Sequence, residues 1–344
     1  MVKENLRLNK THNLQIVYEQ TLGAAAMNNR GFYYPVDLDF GAEGKIYCLN
    51  RAHEGDTSGV RVCVLDLDSN YYGVFGSNGY NEGQFIYATG IAVYDEIVYV
   101  SDEHTNKISL FDSSGEFIKR WGVTGSKEGQ LNGPSALKFD LNGNLYIVDH
   151  LNNRIQIFDK DGKYISGFGS YGTNPGQFNL PWGITIDSLG FIYVSDWRND
   201  RVQKFTNEGG FVSLFGSSGD KNGQFNRPSS VAVDLEGDIY ITDWGNHRLQ
   251  VFDKNFNFID SLRGESTLSP WANEFLEANP DEMSARKSSD LDLDLDIDDQ
   301  HMLSSHVEKL FWSPISVKID KQSKIYVVDR NRHRIQVYSK KIFN

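Results

Sequence analysis

Acidic and basic residues recur in this sequence as pairs five positions apart, a spacing that suits an ion pair across a tight hairpin. Arginine stands in four of them, and its planar guanidinium can bond a carboxylate and nearby carbonyl groups together. These pairs are Asp149/Arg154, Asp196/Arg201, Asp243/Arg248 and Asp329/Arg334, with Asp102/Lys107 as a lysine variant. Because a scaffold needs every copy and a functional site needs one, the pairs are predicted to be structural clamps.

The position directly after each aspartate, or after Asn50 in the first copy, varies in its chemistry. A purely structural position would favour one small residue, whereas this one carries two arginines, an acid, a histidine and two tryptophans. Indole rings and guanidinium groups can grip an aromatic or anionic group. The six residues are Arg51, Glu103, His150, Trp197, Trp244 and Arg330. We predict that they form a binding rim together with His53 and Trp182; an ordinary polar rim is the alternative.

A repeat of 46 or 47 residues positions these side chains. The triplet Gly-Gln-Phe/Leu begins at Gly83, Gly129, Gly176 and Gly223. Each unit contains four short apolar segments with alternating polarity, separated by Gly, Asn and Asp, which is typical of antiparallel hairpins. A repeated four-stranded unit of about 40–50 residues is a propeller blade.

The repeats predict an all-β, six-bladed β-propeller that forms one domain over residues 1–344. The last copy stops after its third strand, and residues 14–22 supply the missing fourth strand, which closes the ring and removes exposed sheet edges. The blades are expected at about 31–76, 83–122, 129–169, 176–216, 223–263 and 307–340, with an insertion at 264–306.

The phrases GQFNRPSSVAVDLEGDIYITDWGNHRLQVFD and GQFNLPWGITIDSLGFIYVSDWRNDRVQKF resemble NHL repeats. The resemblance covers nearly the whole chain outside the first dozen residues and the insertion. It implies the fold and leaves the function open, because NHL propellers include protein- and RNA-binding modules, extracellular sensor domains and a zinc-dependent peptide-amidating lyase.

The resemblance also bears on metal binding. In amidating-lyase-like propellers, histidines at the start of the innermost strands converge on a metal in the channel. The matching positions here hold no zinc ligand: Val36, Thr89, Ser135, Trp182, Ser229 and Ile315. We therefore expect no metal, no cofactor and no catalytic residue. His247 and His333 occupy a position where NHL repeats often carry a packing histidine.

Composition excludes several classes of protein. The net charge of the 344 residues is −12, of which −9 lies in residues 264–310, and this argues against nucleic-acid binding. No long apolar run predicts membrane insertion, and no secretory signal is recognised. The two cysteines exclude a disulfide framework. The strand register predicts that Cys48 lies opposite Cys63, as two buried, reduced thiols of a cytoplasmic protein.

The insertion is predicted to contain a helix and an acidic loop. Ser269 and Pro270 are a favourable helix start. Trp271 and Phe275 fall on one helical face, which is expected to pack on the propeller beside the channel mouth, as a cover or as a functional lid. The acidic run at 290–299 is predicted to be a solvated linker or weak strand, with a partner-binding strip or a cation site as alternatives.

These features lead to a functional hypothesis. The chain is expected to be a non-catalytic binding or scaffold protein that holds a protein partner or a small ligand at one face of the propeller. The alternative is a lyase or hydrolase of the amidating-lyase-like or lactonase-like kind, acting at the same channel mouth.

Overall fold

The computed structural model describes residues 14–51, 53, 56–289 and 297–342. Six four-stranded antiparallel sheets, the blades, surround a central channel. The chain opens with β1 (Leu14–Leu22), which belongs to the last blade. Blade 1 contains β2 (Pro35–Phe40), β3 (Ile46–Asn50), β4 (Arg61–Leu65) and β5 (Tyr71–Phe75). The short strands β6 (Ser77–Asn78) and β7 (Gln84–Phe85) pair in the crossover that follows.

The next four blades repeat this pattern. Blade 2 contains β8 (Ala88–Tyr94), β9 (Ile97–Asp102), β10 (Lys107–Phe111) and β11 (Phe117–Trp121). Blade 3 contains β12 (Pro134–Phe139), β13 (Leu145–Asp149), β14 (Arg154–Phe158) and β15 (Tyr164–Phe168). Blade 4 contains β16 (Pro181–Ile186), β17 (Ile192–Asp196), β18 (Arg201–Phe205) and β19 (Phe211–Phe215). Blade 5 contains β20 (Pro228–Val233), β21 (Ile239–Asp243), β22 (Arg248–Phe252) and β23 (Phe258–Leu262).

Blade 6 closes the ring as the sequence predicted. Its sheet contains β24 (Pro314–Ile319), β25 (Ile325–Asp329), β26 (Arg334–Ile342) and, as the outermost strand, β1. β1 runs antiparallel to β26, with Leu14 opposite Ile342 and Leu22 opposite Ile335. The first strand of the chain therefore completes the last blade, and the six-bladed fold is confirmed.

The apolar core lies between neighbouring blades. Each blade packs one face on the preceding blade and the other face on the next, as Val148 of blade 3 does against Ile184 of blade 4. Cys48 and Cys63 lie directly opposite each other in β3 and β4, as the register predicted, and both are buried free thiols. Burial raises the pKa of the Cys63 thiol to about 11, which keeps it protonated and weakly nucleophilic.

The four Asp–Arg pairs are formed, with Nε–Oδ2 distances of 2.7–2.8 Å. Each arginine also donates to carbonyl groups of the crossover that enters its own blade; Arg154, for example, reaches the carbonyls of Lys127 and Gln130. In blade 2 the lysine behaves differently, because Lys107 donates to the carbonyl of Gly122. A single ammonium cannot reproduce the two-sided fork of a guanidinium.

The insertion contains three helices: α1 (Pro270–Ala278), α2 (Pro280–Ser288) and α3 (Gln300–His306). Ser269 caps α1 by accepting a hydrogen bond from the Ala272 amide, as the sequence predicted. Trp271 is the one buried residue of α1, at 4% exposure, whereas Phe275 is 59% exposed. Most of the acidic run, residues 290–296, lies outside the described residues.

Neither aromatic residue of the predicted lid lines the channel mouth, and Trp271 covers apolar blade surface, as the alternative prediction had it. Trp271 packs into the groove between blades 6 and 1, beside Phe32, and its indole Nε1 donates to the carbonyl of Ser69 at 2.7 Å. Ser69 lies in the turn between β4 and β5, at the face of the propeller opposite the channel mouth. The groove offers the indole an apolar slot and a carbonyl acceptor, so the side chain is buried there. Phe275 is largely exposed and lines an outer recess together with Trp271 and Arg30.

Candidate functional site

One end of the channel, here called the mouth, collects the residues that follow the second strand of each blade. Neighbouring strands are antiparallel, so the hairpins between second and third strands share this face with the crossovers between blades. In four blades the hairpin is one turn of 3₁₀ helix that begins directly after the clamp aspartate. These turns are His150–Asn152, Trp197–Asn199, Trp244–Asn246 and Arg330–Arg332. The clamp aspartate thus fixes the start of each turn, and the first residue of that turn is the mouth residue.

The residue that ends each of these turns links its blade to the next. It has a positive φ, between 51° and 55°, and its side chain accepts a hydrogen bond from a backbone amide of the following crossover. His247 Nδ1 accepts from the Ser313 amide at 3.0 Å, and His333 Nδ1 accepts from the Tyr34 amide at 2.9 Å. Asn153 Oδ1 makes the same bond in blade 3. The two histidines therefore act as structural links.

The mouth contains a recessed cavity of about 240 Å³. Its lining comes from blades 1, 4, 5 and 6 and from the crossover that enters blade 2. The lining residues are Val36, Arg51, Tyr87, Trp182, Trp197, Ser229, Trp244, Ile315 and Arg330. Five of the eight predicted rim residues thus share one cavity, and six of its nine lining residues are aromatic or cationic.

The cationic side of the mouth is formed by Arg51 and Arg330. The Arg51 guanidinium lies 4.0 Å from the ring centre of Tyr87 and 3.2 Å from a carboxylate oxygen of Glu103. Arg330 lies over Tyr34, at 5.8 Å. Burial and the nearby charge of Arg51 lower the pKa of Arg330. Two cations therefore face one cavity with one carboxylate between them.

Several polar atoms around the mouth are buried without a partner. Among the described residues, none supplies a hydrogen bond to Arg51 Nε, Arg330 Nε or Trp244 Nε1. Glu103 Oε2 is also without a hydrogen bond, although it lies within ion-pair distance of Arg51. Buried donors without acceptors are rare in folded proteins, since each costs about 1–3 kcal/mol. Three such donors belong to side chains that line this one cavity.

Three predicted rim residues do not line the cavity. His150 is buried behind the tryptophans, with its ring 4.9 Å from that of Trp182, and its Nδ1–H donates to the carbonyl of Pro181. Burial lowers the pKa of His150, so the ring is neutral. Glu103 does not line the cavity itself, but it forms an ion pair with Arg51, which does. His53 is exposed and lies beside Tyr34.

Sequence reasoning missed the contribution of the crossovers. Tyr34, Tyr87 and Arg227 each precede the first residue of an innermost strand, and each holds a mouth side chain: Tyr34 faces Arg330, Tyr87 faces Arg51, and Arg227 faces two tryptophans. The signal was present, because the position before the blade-starting residue varies as strongly as the rim does.

Two features are absent from the described part of the chain: a cluster of metal-ligating side chains and a membrane-spanning helix. Across residues 14–51, 53, 56–289 and 297–342, no three His, Cys, Asp or Glu side chains come together as a metal site would require. Over the same residues, no helix has both the length and the apolar character to cross a membrane.

Comparisons with known proteins agree with the fold. The family model of the NHL repeat matches residues 178–205, 225–252 and 311–338, in blades 4, 5 and 6. A Bacteroides thetaiotaomicron protein of unknown function is similar in structure, with a TM-score of 0.62 and 18% identity over 95% of this chain and 76% of its own. No curated protein matches the sequence.

Two lyases are also similar in structure. One is a catalytically inactive virginiamycin B lyase from Staphylococcus aureus, solved with quinupristin, with a TM-score of 0.57 and 13% identity over 95% of this chain and 99% of the lyase. The other is a streptogramin B lyase, with a TM-score of 0.57 and 12% identity over 95% and 98%. At these identities the likeness extends to the fold alone. The repeat matches and the six closed blades together identify the chain as an NHL-repeat β-propeller.

Proposed function

We propose that this protein is a non-catalytic binding protein that holds a small organic anion in the mouth of its channel. The observation that carries the proposal is that the guanidinium groups of Arg51 and Arg330 line one cavity. With Glu103, which pairs with Arg51, the three groups sum to a single positive charge. A ligand anion supplies the missing negative charge and accepts hydrogen bonds from the guanidinium N–H groups.

The cavity favours a small ligand over a protein partner. Stable protein interfaces bury about 800 Å² on each partner, whereas this recess encloses about 240 Å³. That volume is below the roughly 300–1,000 Å³ of sites for drug-sized ligands. A compact molecule fits the space.

A lyase or hydrolase is the second candidate, favoured by the fold shared with two lyases and by Glu103 at the mouth. The arrangement supports catalysis less well than binding. Acid–base catalysis needs a titratable group within reach of the reacting atoms. Glu103 is paired with Arg51, and His150 lies behind the tryptophans with Nδ1 already bonded.

Calorimetric titration with two carboxylates, naphthoate and cyclohexanecarboxylate, tests the proposal. We expect at least one of them to bind with a stoichiometry of one, and both Arg51→Met and Arg330→Met to abolish that binding. Arg120→Met is the matched control, since Arg120 lies on β11 and contacts carbonyls of residues 80 and 81. Binding of neither carboxylate, or binding that survives both variants, overturns the proposal.

The enzyme candidate needs a separate measurement. Small molecules released from protein purified from its source are identified by mass spectrometry, and each is then incubated with fresh protein in large molar excess. A binding protein returns the molecule unchanged. Conversion that stops in Glu103→Gln favours the lyase or hydrolase.

A further inference from the structure

The side of the mouth opposite the two arginines is built from tryptophan. Trp182, Trp197 and Trp244 come from blades 4 and 5, and all three line the same cavity. The ring centres of Trp182 and Trp197 lie 5.8 Å apart at an interplanar angle of 47°, and those of Trp197 and Trp244 lie 6.2 Å apart at 73°. The three indoles therefore form an angled aromatic wall.

Neighbouring side chains hold this wall in place. The His150 ring stands at 86° to Trp182 and packs behind it. The Arg227 guanidinium lies 5.5 Å from Trp197 and 5.9 Å from Trp244, so one cation braces both indoles. Side chains that are already ordered lose little conformational entropy when a ligand binds. The wall is prepared for an aromatic group before any ligand arrives.

The charges at the mouth select the kind of aromatic group. Clusters of tryptophan commonly bind organic cations through their ring faces. Here Arg51 and Arg330 line the same cavity and repel a cation. A single negative charge on the ligand balances the net charge of Arg51, Arg330 and Glu103. A second negative charge is unfavourable, because it is repelled by the carboxylate of Glu103 or buried against the aromatic wall. The ligand is therefore expected to carry one negative charge at one end.

From this juxtaposition we infer that the ligand is a planar aromatic monocarboxylate with one or two rings. Its rings lie against Trp182, Trp197 and Trp244, and its carboxylate accepts hydrogen bonds from the guanidinium groups of Arg51 and Arg330, which line the same cavity. The inference rests on the proposed function and narrows it to one class of ligand.

A set of matched ligands tests the aromatic part separately from anion binding. Naphthoate, cyclohexanecarboxylate, naphthalenemethanol, naphthalenedicarboxylate and benzyltrimethylammonium are titrated by calorimetry into the full-length protein. We expect naphthoate to bind about tenfold or more tightly than each of the others, because only naphthoate satisfies both halves of the mouth with one charge.

Two tryptophan variants locate the ring contact. Trp244→Leu is expected to weaken naphthoate binding by about tenfold and cyclohexanecarboxylate binding by less, since only naphthoate loses a contact between aromatic rings. Trp244→Phe restores part of the affinity. Phe275→Ala is the control, because Phe275 is exposed and lies outside the cavity. Thermal melting of each variant verifies that it is folded.

The outcomes separate the two proposals. If neither carboxylate binds, the proposed function fails and the aromatic inference fails with it. If cyclohexanecarboxylate binds as tightly as naphthoate and both depend on Arg330, the proposed function stands and the aromatic inference is overturned. Tight binding of benzyltrimethylammonium or of the dicarboxylate also overturns it.

Discussion

Two sets of residues, one position apart in the chain, behave in opposite ways. Asp243 ends β21 and is fully buried, and its carboxylate accepts hydrogen bonds from the Asn226 amide, Asn246, Arg248 and Gln250. Trp244 follows it directly, and its Nε1 has no partner among the described residues. Both carboxylate oxygens of this clamp are hydrogen-bonded, whereas several polar atoms around the mouth have no hydrogen-bond partner among the described residues.

This difference separates stability from binding. The clamp recurs with the same chemistry in blades 3 to 6, and every polar atom of its carboxylates is satisfied within the blade and the adjacent crossover. The mouth varies from blade to blade and leaves buried donors open. Buried polar groups are almost always bonded in folded proteins, so the unpaired donors distinguish the mouth from the clamp. Four predictions test whether the separation holds.

The largest effect is expected from removing the strand that closes the ring. Deleting residues 1–22 exposes the edge of β26 along its whole length, and the protein is expected to lose its cooperative fold and aggregate. Attaching residues 14–22 after residue 342, through a turn copied from residues 253–257, restores the same antiparallel pairing. Circular dichroism and light scattering compare the two proteins. A deletion that stays monomeric with an unchanged Tm shows that closure does not stabilise the ring.

A broken clamp is expected to cost about 3–5 kcal/mol. Asp243→Ala leaves the buried guanidinium of Arg248 without its carboxylate, and an uncompensated buried charge carries a penalty of that size. Asp161→Ala is the matched control, because its ion pair with Lys119 is exposed and is expected to contribute less than about 1 kcal/mol. Urea unfolding measures both. Equal effects of the two variants contradict the structural role of the clamp.

A smaller, pH-dependent effect is expected from His247. Burial lowers its pKa from 6.5 to about 4, with the nearby His301 and Arg263 acting in the same direction and Asp299 opposing them. Between these values the unfolded chain binds a proton that the folded chain does not, so stability falls as the pH is lowered from 6.5 towards 4, by roughly 3 kcal/mol.

His247→Asn removes this titration and keeps the link between blades, because Asn153 makes the same bond in blade 3. Urea unfolding at several pH values compares the variant with the native protein. We expect the variant to become relatively more stable as the pH falls. An identical pH dependence of the two proteins shows that His247 does not titrate in this range.

The smallest effect on stability is expected at the mouth. Arg330→Met removes one of two like charges that share a cavity and leaves no buried carboxylate unpaired, so the free energy of unfolding should change by less than about 1 kcal/mol. The same variant is expected to lose the binding of carboxylates described above. A loss of stability as large as that of Asp243→Ala contradicts the separation between clamp and mouth.

Local features of the insertion show how far spacing along the chain can predict structure. The start of α1 was predicted correctly, because capping by Ser269 depends on the next few residues alone. The positions of its aromatic side chains were not predicted correctly. Trp271 found a slot between two blades and Phe275 did not, and that outcome depends on how α1 docks on blades 6 and 1.

The sequence by itself determined the number of blades, the positions of their strands, the closure by residues 14–22 and the register that sets Cys48 opposite Cys63. These follow from a repeat of fixed length and from alternation within strands, which are properties of neighbouring residues. Only the tertiary structure decided that Arg51 lies on Tyr87, that His150 turns behind Trp182, and that Arg51 and Arg330 share one cavity without acceptors. These contacts join different blades across the channel, and their geometry depends on side-chain packing around the whole ring, which spacing along the chain does not encode.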